Sequence, residues 1–215
     1  MPQKAWFLVY TNRERETDRL EAFSDGIFAF AITLLVLNLY DPASRGSTLL
    51  QGLIYEWPAF FAFSISFLHI LVMWINHHNM FNYIERLSRE FMLLNGLLMF
   101  FVVVTPFTTL LISEHLLQSD ANIAAIIYAG SFFCVGIVWN LLWHNATSFH
   151  KLINKRVPQK KIKRIAREYS IAPLFYGITL IVSLFSAIAS LVITVLIAAY
   201  FGYTVTGGEQ LTEPE

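Results

Sequence analysis

The chain has 215 residues, 56% of them hydrophobic, and 15 Lys+Arg balance 15 Asp+Glu to a formal net charge of zero. The charges are segregated: stretches 26–40, 57–84, 91–113, 121–150 and 169–208 contain none, so all 30 lie in the other 79 residues. A soluble domain places charge on the outer face of nearly every element, whereas a charge near the membrane centre costs about 2.5–3.5 kcal/mol. The distribution therefore describes an all-α polytopic membrane protein and excludes a soluble enzyme, a nucleic-acid binder and a disordered chain.

A spanning helix needs about 20 mostly apolar residues. At the N-terminus, the apolar run of residues 5–10 is too short for a signal-peptide core; Trp6 and Tyr10 suit an interfacial position. The first span is expected over 19–40, with Glu21 and Asp25 near its start. A loop containing Asp41, Pro42 and Gly46 follows. The second span is expected over 56–79, with Pro58 in its first turn, where the missing N–H is harmless. The third is expected over 91–112, kinked at Pro106, with Thr105, Thr108 and Thr109 satisfying the freed backbone groups. The fourth is expected over 121–144, ahead of the basic segment 151–167. The last apolar stretch, 169–203, is too long for one upright span and too short for two full ones. It fits either two short spans turning near 183–186 or one broken helix. These limits divide the chain into an N-terminal cytoplasmic or interfacial segment (1–18), a transmembrane domain (19–203) and a tail (204–215). No internal repeat or low-complexity tract interrupts them. The single cysteine, Cys134, excludes an intramolecular disulfide.

Orientation follows from the Lys/Arg content of the loops. Four precede the first span, two lie in 80–90 and eight in 145–168; on the other side Arg45 stands alone. The positive-inside rule predicts a cytoplasmic N-terminus and a cytoplasmic 145–168 loop.

An ionisable residue inside an apolar helix is a functional candidate, and the first span opens with Arg19, Phe23, Ser24 and Asp25. At 100° per residue, Phe23, Ile27, Phe30, Leu34 and Leu37 fall within about 40° of one line. Ala22, Asp25, Ala29 and Val36 lie on the far side, and Thr33 sits on the flank. The bulky stripe faces either lipid or a pore. The small face suits close helix approach, so Asp25 is expected to pair with a neighbouring helix. Trp74, His77 and His78 close the second span. Adjacent histidines point apart and lack the i,i+4 spacing of a metal pair, so no metal site is expected. They read as an interfacial belt, or as a source of one histidine partner for Asp25. His144, His150, Asn140 and Asn145 read as interface residues. No nucleophile elbow, P-loop, HExxH or Cys-x-x-Cys occurs, so nothing indicates an enzyme.

The segment R-x-x-x-F-S-D formed by Arg19, Phe23, Ser24 and Asp25, continuing as Gly-Ile-Phe-Ala-Phe-Ala-Ile-Thr-Leu-Leu-Val-Leu, resembles the signature of the transmembrane protein 175 family of potassium channels. The Trp74 to His78 region and the chain length also resemble its short prokaryotic members. The resemblance implies six transmembrane helices per subunit and a homotetrameric cation channel without the usual selectivity-filter loop; no T-V-G-Y-G occurs here. It favours dividing 169–203 into two helices. It implies a central pore lined by the first helix, constricted at Phe30, Leu34 and Leu37 and flanked by Thr33 and Ile27. It implies a polar network of Arg19, Phe23, Ser24, Asp25, Trp74 and His77 that holds this helix in place. The protein would conduct K⁺ and other monovalent cations across a cell membrane, with the lipid bilayer as surroundings, no cofactor and no nucleic-acid partner. The usual constriction residue is Ile or Leu, and here it is Phe30, so four rings at one level would narrow the pore or stack aside. Two rival readings from other classes are a proton-coupled secondary transporter using Asp25 and His77, and a membrane scaffold docked through the basic loop 151–167.

Overall fold

The computed structural model describes residues 3–39, 48–149 and 152–207. The side chains of Trp6, Tyr10, Arg45, His150 and Lys151, and the tail from residue 208, lie outside the described residues. Helices α1 (Gln3–Leu34), α2 (Leu49–Tyr55), α3 (Trp57–Phe81), α4 (Arg89–His115), α5 (Ala121–His144), α6 (Gln159–Ser183) and α7 (Ala187–Gly207) follow one another, and a 3₁₀ turn, Leu35–Asn38, extends α1. Among the described residues, six helical stretches are long and apolar enough to cross a membrane. They include every expected span.

Local chemistry sets the helix ends. Thr48 Oγ1 accepts from Gln51 N at 3.3 Å and starts α2. Pro58 sits in the first turn of α3. Ser88 Oγ accepts from Phe91 N at 3.1 Å and starts α4. Each bond satisfies an N–H that has no intrahelical acceptor.

The stretch 169–203 contains two helices, and the break falls at residues 184–186 as expected. The helices themselves are not short. α6 begins at Gln159, just after Pro158, and carries most of the basic segment as its first turns. Pro cannot continue a helix backwards but is accommodated at its start, and the long cationic side chains reach water beyond the hydrocarbon. α1 likewise passes through residues 18 and 19 without a break.

The connections fall into two groups. Residues 82–88 meet residues 152–154 through an antiparallel bridge between Ile84 and Ile153. Leu152 O accepts from Glu85 N at 2.9 Å, and Tyr83 O accepts from Asn154 N at 3.0 Å. These two basic connections therefore share one end of the bundle. At the other end Asn122, in the first turn of α5, accepts from Ala187 N at 3.0 Å and donates to Leu184 O at 3.4 Å. The 184–186 turn thus lies beside the start of α5.

The interior runs along α4 and α5, where Leu98, Val102, Phe132, Leu142 and Trp143 are buried. α5 and α6 pack most closely. A Cβ added at Gly136 would stand 3.2 Å from Pro173 N, so only glycine lets the two backbones approach this far. Around Pro106, Thr105 donates to Phe101 O at 3.0 Å and Thr109 to Thr105 O at 2.7 Å. Thr109 Oγ1 also lies 2.7 Å from Ser66 Oγ, whose hydroxyl can donate to it. The threonines thus bond Phe101 O and Thr105 O and not Val102 O, the carbonyl that proline frees, contrary to the expectation from sequence; Thr109 links α4 to α3.

Candidate functional site

α1 divides lengthwise. Ser24, Phe28, Ala31, Leu35 and Asn38 are buried and fall within about 80° of arc. On the bulky stripe Phe23 is 60% exposed, Phe30 59% and Leu37 72%; Ile27 and Leu34 are half-buried. Thr33 is exposed, and its Oγ1 donates to Phe30 O at 2.8 Å. Ala22, Ala29 and Val36 are exposed as well. Within one chain, then, the small face does not mediate the packing of α1. That role falls to the arc around Phe28 and Leu35.

A polar chain anchors this arc. Ser24, His77 and Asn95 are all fully buried. Asn95 Nδ2 donates to Ser24 Oγ at 2.9 Å, and Ser24 Oγ donates to Leu20 O at 2.9 Å. His77 Nε2 lies 2.9 Å from Asn95 Oδ1. An amide oxygen only accepts, so Nε2 carries the proton. Aromatic rings enclose the imidazole: Phe81 stacks at 4.5 Å, and Phe28 and Trp139 meet it edge-on at 5.4 and 6.1 Å. Three helices, α1, α3 and α4, are thus joined by hydrogen bonds that water does not reach.

A second, more exposed pair of contacts joins α1 to α3. Trp74 Nε1 donates to Asp25 Oδ1 at 3.0 Å. His78 Nδ1 lies 2.8 Å from Glu21 Oε1. Trp74 and His78 stand four residues apart, so one face of α3 presents both to α1, while His77 turns to Asn95 of α4. Neither histidine bonds Asp25; the indole does. Asp25 does meet a neighbouring helix, as its position off the bulky stripe suggests. Arg19 and Phe23 are exposed, and Arg19 makes no hydrogen bond or ion pair among the described residues. Asn140 donates to Ser170 Oγ at 3.1 Å, tying α5 to α6.

Sequence reasoning passed over two members of this site. Asn95 is one amide in a charge-free run of 23 residues, and an amide in such a run is costly unless bonded. That cost is the signal that would have found it. Glu21 was visible only as a charge near a helix start. No cluster of His, Cys, Asp or Glu suited to a metal ion occurs among the described residues.

Residues 19–106 match the family model described as "Endosomal/lysosomal potassium channel TMEM175". The matched segment begins at Arg19 and takes in the Ser24, His77 and Asn95 chain. Over 197 residues the sequence is 38% identical to a potassium channel from Chamaesiphon minutus, covering 90% of this chain and 97% of the relative. The chain belongs to the TMEM175 family of potassium channels. A potassium channel from Streptomyces collinus is 34% identical over 190 residues, covering 87% of this chain and 92% of its own. The crystal structure of a lysosomal potassium-selective channel TMEM175 homolog from Chamaesiphon minutus superposes with a TM-score of 0.81 at 38% identity. That likeness covers 89% of this chain and 98% of the homolog. TMEM175 channels are not enzymes, in keeping with the missing catalytic motifs.

Proposed function

We propose that the chain is one subunit of a homotetrameric potassium channel whose central pore is lined by α1. The supporting observation is the stripe of Phe23, Phe30 and Leu37, large apolar side chains that the described residues leave more than half exposed. Phe30, Leu34 and Leu37 form the constriction, with Thr33 and Ile27 on its flanks. A permeating K⁺ sheds part of its hydration there. Narrowing of the apolar ring expels the remaining water and stops conduction. Transport is passive and modestly selective, involves no reaction and requires no cofactor. Residues 19–203 form the channel domain, between a cytoplasmic or interfacial segment (1–18) and a tail (204–215). The N-terminus and the 145–168 loop face the cytoplasm of a cell-membrane protein. In this reading Asp25 and His77 are anchors. They bond Trp74 and Asn95 and not each other, which gives a proton-coupled transporter no relay through that pair.

The test is K⁺ flux into liposomes with Phe30→Ala. Wider passage at the constriction predicts a several-fold rise in flux, or a lower K⁺ preference over Na⁺. Unchanged flux and preference would remove Phe30 from the pore. Cysteine substitutions along 27–37 add a geometric check. Intersubunit crosslinks should concentrate at 30, 34 and 37, and crosslinks confined to other positions would place lipid against the stripe.

A further inference from the structure

We infer that the cleft between α6 and α7 binds a phospholipid with an anionic headgroup. The cleft has a volume of about 280 Å³ and is lined by Phe175, Ile178, Ile193, Leu196, Ile197 and Tyr200. All but the Tyr200 hydroxyl are hydrocarbon or aromatic ring, which suits an acyl chain and no polar metabolite. α6 is also the membrane helix least covered by its own chain, with 17% of its apolar window buried.

The charge comes from the same helix face. At 100° per residue, Lys160, Arg164, Arg167, Ile171, Phe175 and Ile178 lie within about 80° of arc. The cations stack at the basic end of the bundle and the cleft residues follow toward the membrane centre. Arg167 and Ile178 are about 16 Å apart along the helix axis, close to half the thickness of a ~30 Å hydrocarbon core. A lipid whose phosphate sits among the cations would lay one chain along the cleft within its own leaflet. Lys160, Arg164 and Arg167 are exposed. Glu168 takes up part of the charge of Arg164, at 3.1 Å from its Nε. Lys160 and Arg167 have no ion-pair partner among the described residues. Lys161 turns inward over the Tyr83 ring at 4.9 Å and is not counted. No acidic residue occurs between Asp120 and Glu168 in the sequence; Glu85, whose N–H bonds Leu152 O, is an acidic neighbour at this end of the bundle.

The experiment is native mass spectrometry of the purified full-length protein with phosphatidylglycerol or phosphatidylcholine of matched chains. Phosphatidylglycerol adducts should survive at about tenfold lower lipid concentration than phosphatidylcholine adducts. The variant K160Q/R164Q/R167Q should lose that preference, because each cation near an anionic surface is worth about fivefold in affinity before screening. Ile178→Trp, which fills the cleft, should weaken both lipids while the cations remain. Glycerol phosphate, which has the charge and no chain, should not compete. Equal retention of the two lipids, an unchanged preference in the triple variant, or full competition by glycerol phosphate would overturn the site. Should the triple variant not fold, the thermal shift of the unmodified protein decides. Phosphatidylglycerol should raise the melting temperature and phosphatidylcholine should not; equal shifts would refute the proposal. None of these readouts depends on ion flux, so the result stands apart from the channel proposal.

Discussion

The buried bond between His77 and Asn95 makes a specific thermodynamic prediction. His77→Phe keeps a ring against Phe81 and Phe28 but leaves Asn95 Oδ1 with no donor. Asn95→Leu keeps the side-chain volume close but leaves the His77 Nε2–H with no acceptor. Ser24 is less affected, because its hydroxyl still donates to Leu20 O. A buried polar group deprived of its partner costs about 1–3 kcal/mol, so each single substitution should destabilise the protein by that order. The double variant removes both groups and leaves neither orphaned. It should be less damaging than the two singles summed. In membrane proteins such couplings average about 0.6 kcal/mol and reach about 1.7, and full burial with enclosing rings places this pair toward the upper value. The assay is SDS-titrated unfolding of the four proteins in mixed micelles. Additivity within about 0.3 kcal/mol would mean that the bond contributes nothing and that His77 does not hold Asn95 in place for Ser24.

Two further substitutions test other contacts. Asp25→Asn retains an acceptor for the Trp74 indole, so subunit stability should fall by less than about 1 kcal/mol, whereas Asp25→Leu should cost more; measured in liposomes, the K⁺/Na⁺ preference of assembled Asp25→Asn should be unchanged, and a clean selectivity change would place Asp25 in the ion path. Gly136→Leu should destabilise by about 1–3 kcal/mol or more through overpacking, because the new Cβ meets the backbone of Pro173 and Ala172 at 3.2 and 3.3 Å; Gly130→Ala, whose Cβ meets only Leu180 Cδ1 at 3.9 Å, should be tolerated in the same thermal melt.

The six spans were legible because the cost of a charge in hydrocarbon is large enough to decide nearly every position independently. The faces of α1 were legible in part. The 3.6-residue period separates the Phe23 to Leu37 stripe from Asp25. It cannot say which of the remaining directions meets the protein, and the answer is Ser24, Phe28 and Leu35 in place of the small residues. The start of α6 was not legible from hydropathy, since its cationic turns continue a helix that has already left the membrane. The hydrogen-bond partners were least legible of all. Ser24 meets a residue 71 positions away and Trp74 one that is 49 away. Composition at one position holds no information about which distant donor reaches it. An indole and a histidine one turn apart serve the same boundary, and only three-dimensional packing assigned the indole to Asp25.

The polar contacts of α1 explain how a weakly covered helix keeps its rotation. Of its membrane window 22% is buried, against 44% for α3 and α4 and 50% for α5. Apolar surface gives no orientation against lipid, which is as apolar as the helix itself, so packing alone leaves α1 free to roll. Two hydrogen bonds made by residues of the buried arc, Ser24 and Asn38, prevent it. Asn95 of α4 donates to Ser24 near one end, and Asn38, at the other end, donates to Pro106 O of α4 at 2.8 Å. The two points are 14 residues apart, about 23 Å along the axis, and both tie α1 to the same neighbour. A roll of one residue, 100°, would break both bonds and carry Phe30 and Leu37 onto the packed side. The proposed constriction residues, 30, 34 and 37, all lie between these clamps. The polar residues in an otherwise apolar helix thus set the direction in which its largest side chains point.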